Sequence, residues 1–292
     1  MYNKKTSGNR ITLKEKKIAG KTVIVVIAAV WVLAMVLIGI AAPVLAPYDY
    51  QKISLTGRLL PPSWMDGGDS AHFFGTDDLG RDILSRLYHS IRLSLLVAIL
   101  GTFICAIAGT TLGFIAAHFR GAVDDFIMML VDFQASLPFM ILALAVIAFF
   151  ENSLILFIGI MGIYGWERYA RFARGLALSA EEQGYAVAVR SFGASPVRIY
   201  LRHILPNVGN TLMVNMTLNF PQVIMMETSL SFLGLGIQPP NTSLGNMVGF
   251  GRDYILTAWW LAVIPAITIF LTTLSMSIMG DWVRDKLDPA LK

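Results

Sequence analysis

Residue types that could carry out chemistry are few and scattered in this sequence. Gly20-Lys21-Thr22 has the composition of the end of a phosphate-binding loop, but Glu15 occupies the position of its first glycine and no strand precedes it. Lys21 therefore marks the edge of an apolar segment rather than a nucleotide site. The four histidines lack metal-ligand spacing, and no Gly-x-Ser-x-Gly motif occurs. The sequence thus indicates no catalytic or metal site of its own.

Three carboxylates, Asp77, Asp78 and Asp82, lie close enough along the chain to suggest a cation site. Arg81 and Arg86 are interleaved with them, whereas a cation site should show a net excess of oxygen ligands. We therefore favour an ion-paired segment over a metal site. The single cysteine lies in an apolar run and cannot form a disulfide within the chain.

Polar side chains recur at helical spacing within two apolar segments, one with Thr211, Asn215, Asn219 and Gln222, the other with Thr268, Thr272 and Ser275. Polar groups are costly in hydrocarbon, so both stripes should face protein or water. They could line a translocation path or form hydrogen bonds between helices. Pro221 indicates an irregular helix of the kind tolerated beside a cavity. We therefore predict that Asn215, Asn219 and Gln222 line a path.

The composition indicates that these residues belong to a membrane protein. Of the 292 residues 55% are hydrophobic and 14% are charged, whereas soluble domains carry about 25% charged residues. Six apolar stretches can each cross about 30 Å of hydrocarbon as a helix. They lie at residues 22–42, 93–117, 126–150, 153–170, 208–227 and 259–280. We expect Pro138 to kink the third, and Glu151-Asn152 to form a tight hairpin before the fourth.

The basic N-terminus allows two interpretations. Residues 1–21 are rich in lysine and precede the apolar run 22–42. The apolar core of a signal peptide is about 7–15 residues long, whereas a run of about 20 residues spans a bilayer. We therefore predict a retained first span rather than a cleaved signal peptide.

The distribution of basic residues predicts the topology. With the N-terminus inside, 17 of the 23 Lys and Arg residues fall in cytoplasmic segments, which favours two cytoplasmic termini. The basic residues lie beside apolar spans, which argues against nucleic-acid binding. We thus predict an all-α membrane protein with six transmembrane helices. Its first helix (22–42) follows a cytoplasmic basic tail (1–21) and precedes an extracytoplasmic segment (43–92). The five-helix core at 93–280 contains a cytoplasmic insert (170–206) and an extracytoplasmic loop (228–258), and a cytoplasmic tail (281–292) follows it.

The cytoplasmic insert carries the most informative local pattern. Ser179 followed by Glu182 fits a capping box, which predicts a helix start there. Gly193 predicts the end of that helix in a left-handed turn. Ser195-Pro196 fits the N-cap and first position of a second helix, which should end before Pro206.

The first of these helices is amphipathic. Its apolar residues fall at i, i+3, i+4 and i+7 and should share one face: Tyr185, Ala188, Val189 and Phe192. Such a face suits docking in a groove of another protein. It equally suits a helix on lipid headgroups, with Arg190, Arg198 and Arg202 facing anionic lipid. The spacing alone leaves both interpretations open.

Residues 179–207 resemble the coupling region of type I ABC importer permeases. In that region a Glu-Ala-Ala triplet is followed by Gly four residues on and by Leu-Pro about a dozen residues later. Here the triplet is Val187-Ala188-Val189, which lacks the Glu, and Gly193 and Leu205-Pro206 follow it. His203 replaces the usual Ile. The segments GAS and RHILPN are typical of the dipeptide/oligopeptide/nickel branch.

Three further stretches resemble the "C" permease of that branch. They are HFFGTDDLGRDILSRL at 72–87, ETSLSFLGLGIQPPNTSLGNMVGFGRDY at 227–254 and GDWVRDKLDP at 280–289. The resemblance thus covers the chain from about residue 20 to its end, with four motifs in order.

The resemblance implies a type I ABC importer permease fold in a bacterial inner membrane. It implies a homologous permease, two ATPases that bind ATP and Mg, and a periplasmic or lipid-anchored solute-binding protein as partners, with no cofactor on this chain. The implied substrates are di- or oligopeptides, with nickel or metal chelates, glutathione or opines as alternatives. It assigns ATPase coupling to the insert residues Glu181, Glu182, Tyr185, Ala188, Arg190, Phe192, Gly193, Ala194 and Arg198.

A secondary transporter is the alternative from a different class. It would need ionisable residues within its spans to couple to an ion gradient. The middle of the predicted spans holds almost none, because Asp132 lies near the inner end of the third and Glu227 near the outer end of the fifth. A membrane anchor or sensor would leave the long insert without a signalling domain to drive.

Overall fold

The computed structural model describes residues 5–150 and 153–287, with side chains from residue 21 onward. In these residues the chain is helical, and its one β-type pairing is an isolated bridge between Thr76 and Asp82. The prediction of an all-α protein is confirmed. The helices are α1 (Lys5–Leu45), α2 (Ile83–Phe119), α3 (Gly121–Ser136), α4 (Phe139–Phe149), α5 (Leu154–Ile163), α6 (Trp166–Glu181), α7 (Gly184–Ser191), α8 (Pro196–Ile199), α9 (Leu205–Phe232), α10 (Leu244–Gly251) and α11 (Trp260–Leu287).

Three of these helices are long and apolar enough to cross a membrane: α1 from Lys21, α2 and α11. The pair α3 and α4 supplies a fourth span if the two are taken together. Helix α9 has 28 residues, which at 1.5 Å per residue is about 42 Å, but it carries several polar side chains. The predicted fourth span is divided between α5 and α6. The count of six spans stays a prediction.

Two predicted spans are broken rather than straight. Helices α3 and α4 meet at an angle of 94°, so Pro138 breaks the third span more fully than the expected kink. Leu137 has an extended backbone (φ −96°, ψ 135°), because a residue before proline avoids the helical region. The fourth span breaks at Gly165, whose φ of +89° suits glycine. The predicted hairpin at Glu151-Asn152 lies outside the described residues.

Helix α2 begins at Ile83, well before the predicted start at residue 93. Asp82 caps it, with its Oδ2 accepting a hydrogen bond from Ser85 N at 2.8 Å. The first turns of α2 contain polar residues, so a prediction based on the length of the apolar stretch did not include them. Among them, Arg86 and Ser90 are buried, and both contact Thr242 in the segment that follows α9.

The predicted helix start at Ser179 is wrong. Helix α6 runs through Ser179 to Glu181, and α7 begins only at Gly184. Ala173, Ala177 and Ala180 form a buried stripe along α6. Burial of that stripe keeps the helix intact past a residue that would otherwise favour a cap.

The predicted helix end before Pro206 is also wrong. A π-helical turn, Tyr200–Ile204, joins α8 directly to α9, and Leu205 N bonds to Tyr200 O. Proline ordinarily clashes with the carbonyl one turn earlier, and π turns are one of the irregularities that let helices pass such points. The helix that leaves the cytoplasmic insert is therefore continuous with α9.

Helix α2 lies at the centre of the bundle and packs against α1, α5, α6 and α9. Its closest approach is to α6, at Gly109 and Gly113. A Cβ on Gly109 would collide with the Trp166 carbonyl, and one on Gly113 with the Ala170 carbonyl. The Gly-x-x-x-Gly step thus allows close helix contact, as is common in membrane bundles.

An ion pair between Lys21 Nζ and Asp285 Oδ2 joins α1 to α11. Lys21, which precedes the apolar run 22–42, and Asp285, in the last turn of α11, therefore lie at the same end of the bundle.

Candidate coupling segment and translocation face

The insert forms two short helices joined by a tight turn. Gly193 has φ +75°, the left-handed conformation predicted from the sequence. Ser195 occupies the N-cap position and Pro196 the first helical position of α8, although the Ser195 side chain makes no capping hydrogen bond. The helix-turn-helix is thus present, with Ala194 partly buried at the turn.

The exposed apolar surface of the insert differs from the predicted face. Phe192 is 90% exposed, and Val187 and Val197 are also exposed. Ala188 lies on this exposed side, but Tyr185 is half-buried and its hydroxyl is inaccessible. The expectation that Tyr185 and Phe192 share one docking face is therefore wrong. We call Val187, Ala188, Phe192 and Val197 the insert patch.

The buried side of α7 explains this difference. Ala186 is fully buried, and Val189 and Ala194 pack against a cluster that includes Ile199 and Tyr200. Val189 faces this cluster, and Tyr185, one helical turn before Val189, is half-buried. The apolar stripe predicted from the spacing thus serves mainly to attach α7 to the bundle.

Glu181 lies at the centre of a polar cluster rather than at a surface. Its side chain is 5% exposed, and its Oε1 accepts a hydrogen bond from Tyr200 Oη at 2.6 Å. Arg120 Nη2 lies 3.1 Å from Oε2, and Arg190 Nη2 lies 3.5 Å from Oε1. Burial, and then the hydrogen bond to Glu181, raises the pKa of Tyr200, so its hydroxyl stays a donor at neutral pH.

This cluster joins four parts of the chain at one end of the bundle. Arg120 separates α2 from α3, Glu181 ends α6, Arg190 belongs to α7, and Tyr200 begins the π turn. Among the predicted coupling residues, Glu181 is therefore internal. Glu182 and Arg198 remain exposed, as does much of Arg190.

The predicted path residues do not all face the same way. Asn215 lines two open cavities of about 430 and 530 Å³. Gln222 is exposed on the same side of the bundle, and its Oε1 accepts a hydrogen bond from Arg168 Nη1. Asn219 is buried, and its Nδ2 donates to Cys105 Sγ at 3.4 Å. Asn219 therefore bonds between helices, whereas Asn215 and Gln222 border the open face.

The open face is formed by α6 and α9. Arg168, Arg171 and Phe172 of α6 line the larger cavity together with Asn215 of α9. We call the surface formed by these four residues and Gln222 the α6–α9 face. Sequence reasoning missed Arg168 and Arg171 because they were counted as part of the inner segment. The available sequence indication was that Glu167 and Arg168 fall within the predicted span 153–170.

The polar stripe of α11 is a contact between helices. Thr268, Thr272 and Ser275 are all buried. Thr272 Oγ1 accepts a hydrogen bond from Trp31 Nε1 of α1 at 3.2 Å. Of the two interpretations left open for this stripe, the structure favours interhelical bonding.

The acidic segment before α2 is ion-paired, as predicted. Asp77 Oδ2 lies 2.7 Å from Arg81 Nε and 3.4 Å from Arg86 Nε. Asp82 Oδ1 lies 2.9 Å from His72 Nδ1. Within the described residues no group of three or more His, Cys, Asp or Glu is arranged to hold a metal ion.

Comparisons with known proteins agree with this architecture. The di/tripeptide transport system permease protein of Pseudomonas aeruginosa is 39% identical over 90% of this chain and 86% of its own length. The dipeptide permease of Haemophilus influenzae is 35% identical, with 91% and 90% covered. The glutathione transport system permease protein of Pectobacterium atrosepticum is 36% identical, with 92% and 88% covered.

The match to a protein family covers the helices that form both candidate sites. Residues 109–292 match the family described as binding-protein-dependent transport system inner membrane component. This range contains the insert and the α6–α9 face. Such a component belongs to an ABC importer, which excludes the secondary transporter and the anchor. The chain is a member of this family of inner-membrane permease subunits of ABC importers.

Proposed function

We propose that this chain pairs with a homologous permease to form a path for di- or oligopeptides across the bacterial inner membrane. Two ABC ATPases would bind the insert, and an extracytoplasmic solute-binding protein would deliver the solute. The relatives named for di/tripeptide and dipeptide transport support the substrate class. Glutathione is the second candidate, because other relatives of similar identity are named for its transport.

One observation carries the proposal: both helices of the α6–α9 face lead directly into the insert, and α9 does so without a break in the helix. Helix α6 enters the insert and ends at Glu181, and the π turn continues into α9. The hydrogen bond from Tyr200 to Glu181 joins the two connections. A displacement of the insert would therefore move both walls of the face together.

The mechanism follows from this connection. ATP binding would close the two ATPases and pull on the insert patch. The motion would pass through α6 and α9 and open the path alternately to the two sides of the membrane. ATP and Mg would be bound by the ATPases, since Gly20-Lys21-Thr22 lacks the remainder of a phosphate-binding loop. The chain itself would bind no cofactor.

The orientation proposed has both termini in the cytoplasm. The ion pair between Lys21 and Asp285 supports placing both ends on one side. The excess of Lys and Arg in the segments on that side supports its assignment as cytoplasmic. The insert then faces the cytoplasm, where the ATPases are.

Reconstituted transport tests the proposal. The complex encoded with this chain is placed in proteoliposomes with ATP inside and its binding protein outside. Uptake of a labelled dipeptide that requires both ATP and the binding protein is the expected result. Uptake of glutathione alone would select the second candidate, and ATP-independent uptake would contradict the proposal. The purified chain alone should bind no ATP.

A further inference from the structure

Arg168 is a charged residue at an unusual depth in the bundle. Asn219 Nδ2 contacts Cys105 Sγ, and Cys105 lies at the middle of the apolar stretch 93–117 of α2. A Cβ on Gly165 would lie 3.5 Å from Asn219 Oδ1 and 3.6 Å from Arg168 Nη2. The guanidinium therefore lies level with the centre of the apolar span.

The side chain is nevertheless accessible. Arg168 is 48% exposed, whereas its neighbour Glu167 is 13% exposed. A half-exposed guanidinium at mid-membrane depth is expensive in lipid, and such residues face water or another protein. The α6–α9 face therefore borders an aqueous or protein-covered space rather than acyl chains.

The guanidinium is held in one orientation by groups around it. Its Nε lies 3.5 Å from Glu167 Oε1, and its Nη1 donates to Gln222 Oε1. Its Cζ lies 5.4 Å from the centre of the Tyr164 ring. Glu167 is fixed in turn, because its Oε2 accepts a hydrogen bond from Gln134 Nε2 at 3.3 Å. Within the part of the chain that the structure describes, Nη2 has no hydrogen-bond acceptor.

Arginines line the two cavities beside Arg168, and their charge is partly offset, because Asp132 Oδ1 lies 2.7 Å from Arg171 Nη2 and Glu167 Oε1 lies 3.5 Å from Arg168 Nε. The larger cavity is lined by Arg168 and Arg171, and the smaller by Arg284. Neither lining contains an Asp or Glu. Clefts lined by one sign of charge raise the local concentration of the opposite ion. The amide of Asn215, shared by both cavities, adds a neutral hydrogen-bonding group.

We propose that Arg168 is the residue of the passage that binds the carboxylate of the transported solute. Guanidinium groups pair with carboxylates through short, charge-assisted hydrogen bonds. The substrate class is then a solute with a free carboxylate, such as the C-terminus of a short peptide. This inference rests on the proposed function, because it requires the α6–α9 face to line the path.

Thiol labelling of the assembled complex, without its binding protein, tests this role. Asn215→Cys in a Cys105→Ser background places a thiol beside Arg168. The rates of reaction with an anionic and a cationic methanethiosulfonate of similar size are compared in the Arg168, Arg168→Lys and Arg168→Gln complexes. The anionic-to-cationic rate ratio should fall roughly tenfold in Arg168→Gln. Arg168→Lys should retain most of it, as should the control Arg252→Gln, whose side chain lines neither cavity.

Protection by a dipeptide identifies the bound group. Millimolar dipeptide should slow labelling of Asn215→Cys, whereas the same peptide with a C-terminal amide should not. Equal protection by both peptides, or an unchanged rate ratio in Arg168→Gln, would overturn the carboxylate role while leaving the path intact. A thiol inert to both reagents in every nucleotide state would instead overturn the path itself and, with it, this inference.

Discussion

The Tyr200 hydroxyl donates a hydrogen bond to Glu181 Oε1 over 2.6 Å and joins the two places where the insert leaves the helix bundle. Glu181 ends α6, and Tyr200 begins the π turn that continues into α9. Because both helices form the α6–α9 face, this bond fixes the insert relative to the proposed path. Its removal should loosen that relationship without unfolding either helix.

The Tyr200→Phe variant tests this connection. It removes the hydroxyl but keeps the ring that packs against Phe114. A lost hydrogen bond to a charged group costs about 1.5–3 kcal/mol, so the thermal midpoint of the complex should fall. We also expect fewer solute molecules transported per ATP hydrolysed. Ser191→Ala, an exposed change in the same insert, is the control, and an equal loss in both variants would contradict a specific role.

Close packing of α2 on α6 predicts a large effect at Gly109. The Gly109→Ala variant places a Cβ against the Trp166 carbonyl and 2.5 Å from Tyr169 Cβ, so the helices must separate. Gly159→Ala in α5 is the matched control, because a Cβ there meets nothing within 4 Å. We expect a lower yield and thermal midpoint for Gly109→Ala and unchanged values for the control. Equal stability of the two variants would show that α2 and α6 are not tightly packed at Gly109.

We predict that Glu227 anchors α10 to α2 and α9. This fully buried residue accepts hydrogen bonds from Ser94 Oγ at 3.2 Å and Ser231 Oγ at 2.8 Å. Ser94 Oγ in turn accepts one from Leu244 N at 3.1 Å. Glu227→Ala should leave buried hydroxyls unpaired, at about 1–3 kcal/mol each.

Proteolysis of the outer segment measures this effect. Helix α10 should become sensitive to protease added from outside in Glu227→Ala. Glu227→Gln, which can still accept from a hydroxyl, should be affected less. Identical protease resistance of Glu227→Ala and the unmodified complex would contradict the anchoring role.

The proposed topology places Phe192 inside and Leu256 outside. Leu256 is 97% exposed in the segment between α10 and α11, so thiols at both positions should be reachable. In a Cys105→Ser background, an impermeant thiol reagent added to intact cells should label Leu256→Cys but not Phe192→Cys. In inverted vesicles stripped of the partner ATPases, Phe192→Cys should react and Leu256→Cys should not. Labelling of Phe192→Cys from outside would reverse the orientation.

Features fixed by local backbone chemistry were predictable from the sequence. Gly193 and Ser195-Pro196 each restrict the backbone by themselves, so the turn between α7 and α8 followed from residue types. Ser179 and Pro206 failed as predictors because burial of the α6 alanines and the π turn outweighed their local preferences. The conformational preference of a single residue does not include such tertiary contributions.

In the candidate sites, too, some features could be predicted from the sequence and others could not. Asn215, Asn219 and Gln222 form one stripe in the sequence, but Asn219 is separated from the others by a contact with Cys105 on α2. Two structural features identify Arg168 as a candidate path residue. They are the break between α5 and α6 at Gly165 and the hydrogen bond from Arg168 to Gln222. The spacing of residues predicts which side chains share one face of a helix. Which other helix contacts that face depends on how the whole bundle packs.

Attachment of the ATPases to the insert patch tests the central claim most directly. Phe192→Asp places a charge at the most exposed apolar residue of that patch. Ala188→Asp places a charge one helical turn earlier in the same patch. A charge buried without a partner in an interface is costly. Leu256→Asp makes an equivalent change at an exposed apolar residue that the proposed topology places outside. The amount of ATPase that co-purifies with each tagged variant is the measurement.

The account predicts that Phe192→Asp and Ala188→Asp lose at least about tenfold of the ATPase, as a penalty of 1.4 kcal/mol or more would give. Leu256→Asp should retain it. A helix lying on lipid headgroups would keep its ATPase in all three variants. Full co-purification of the ATPases with Phe192→Asp, together with unchanged transport, would contradict the assignment of this insert as the coupling segment.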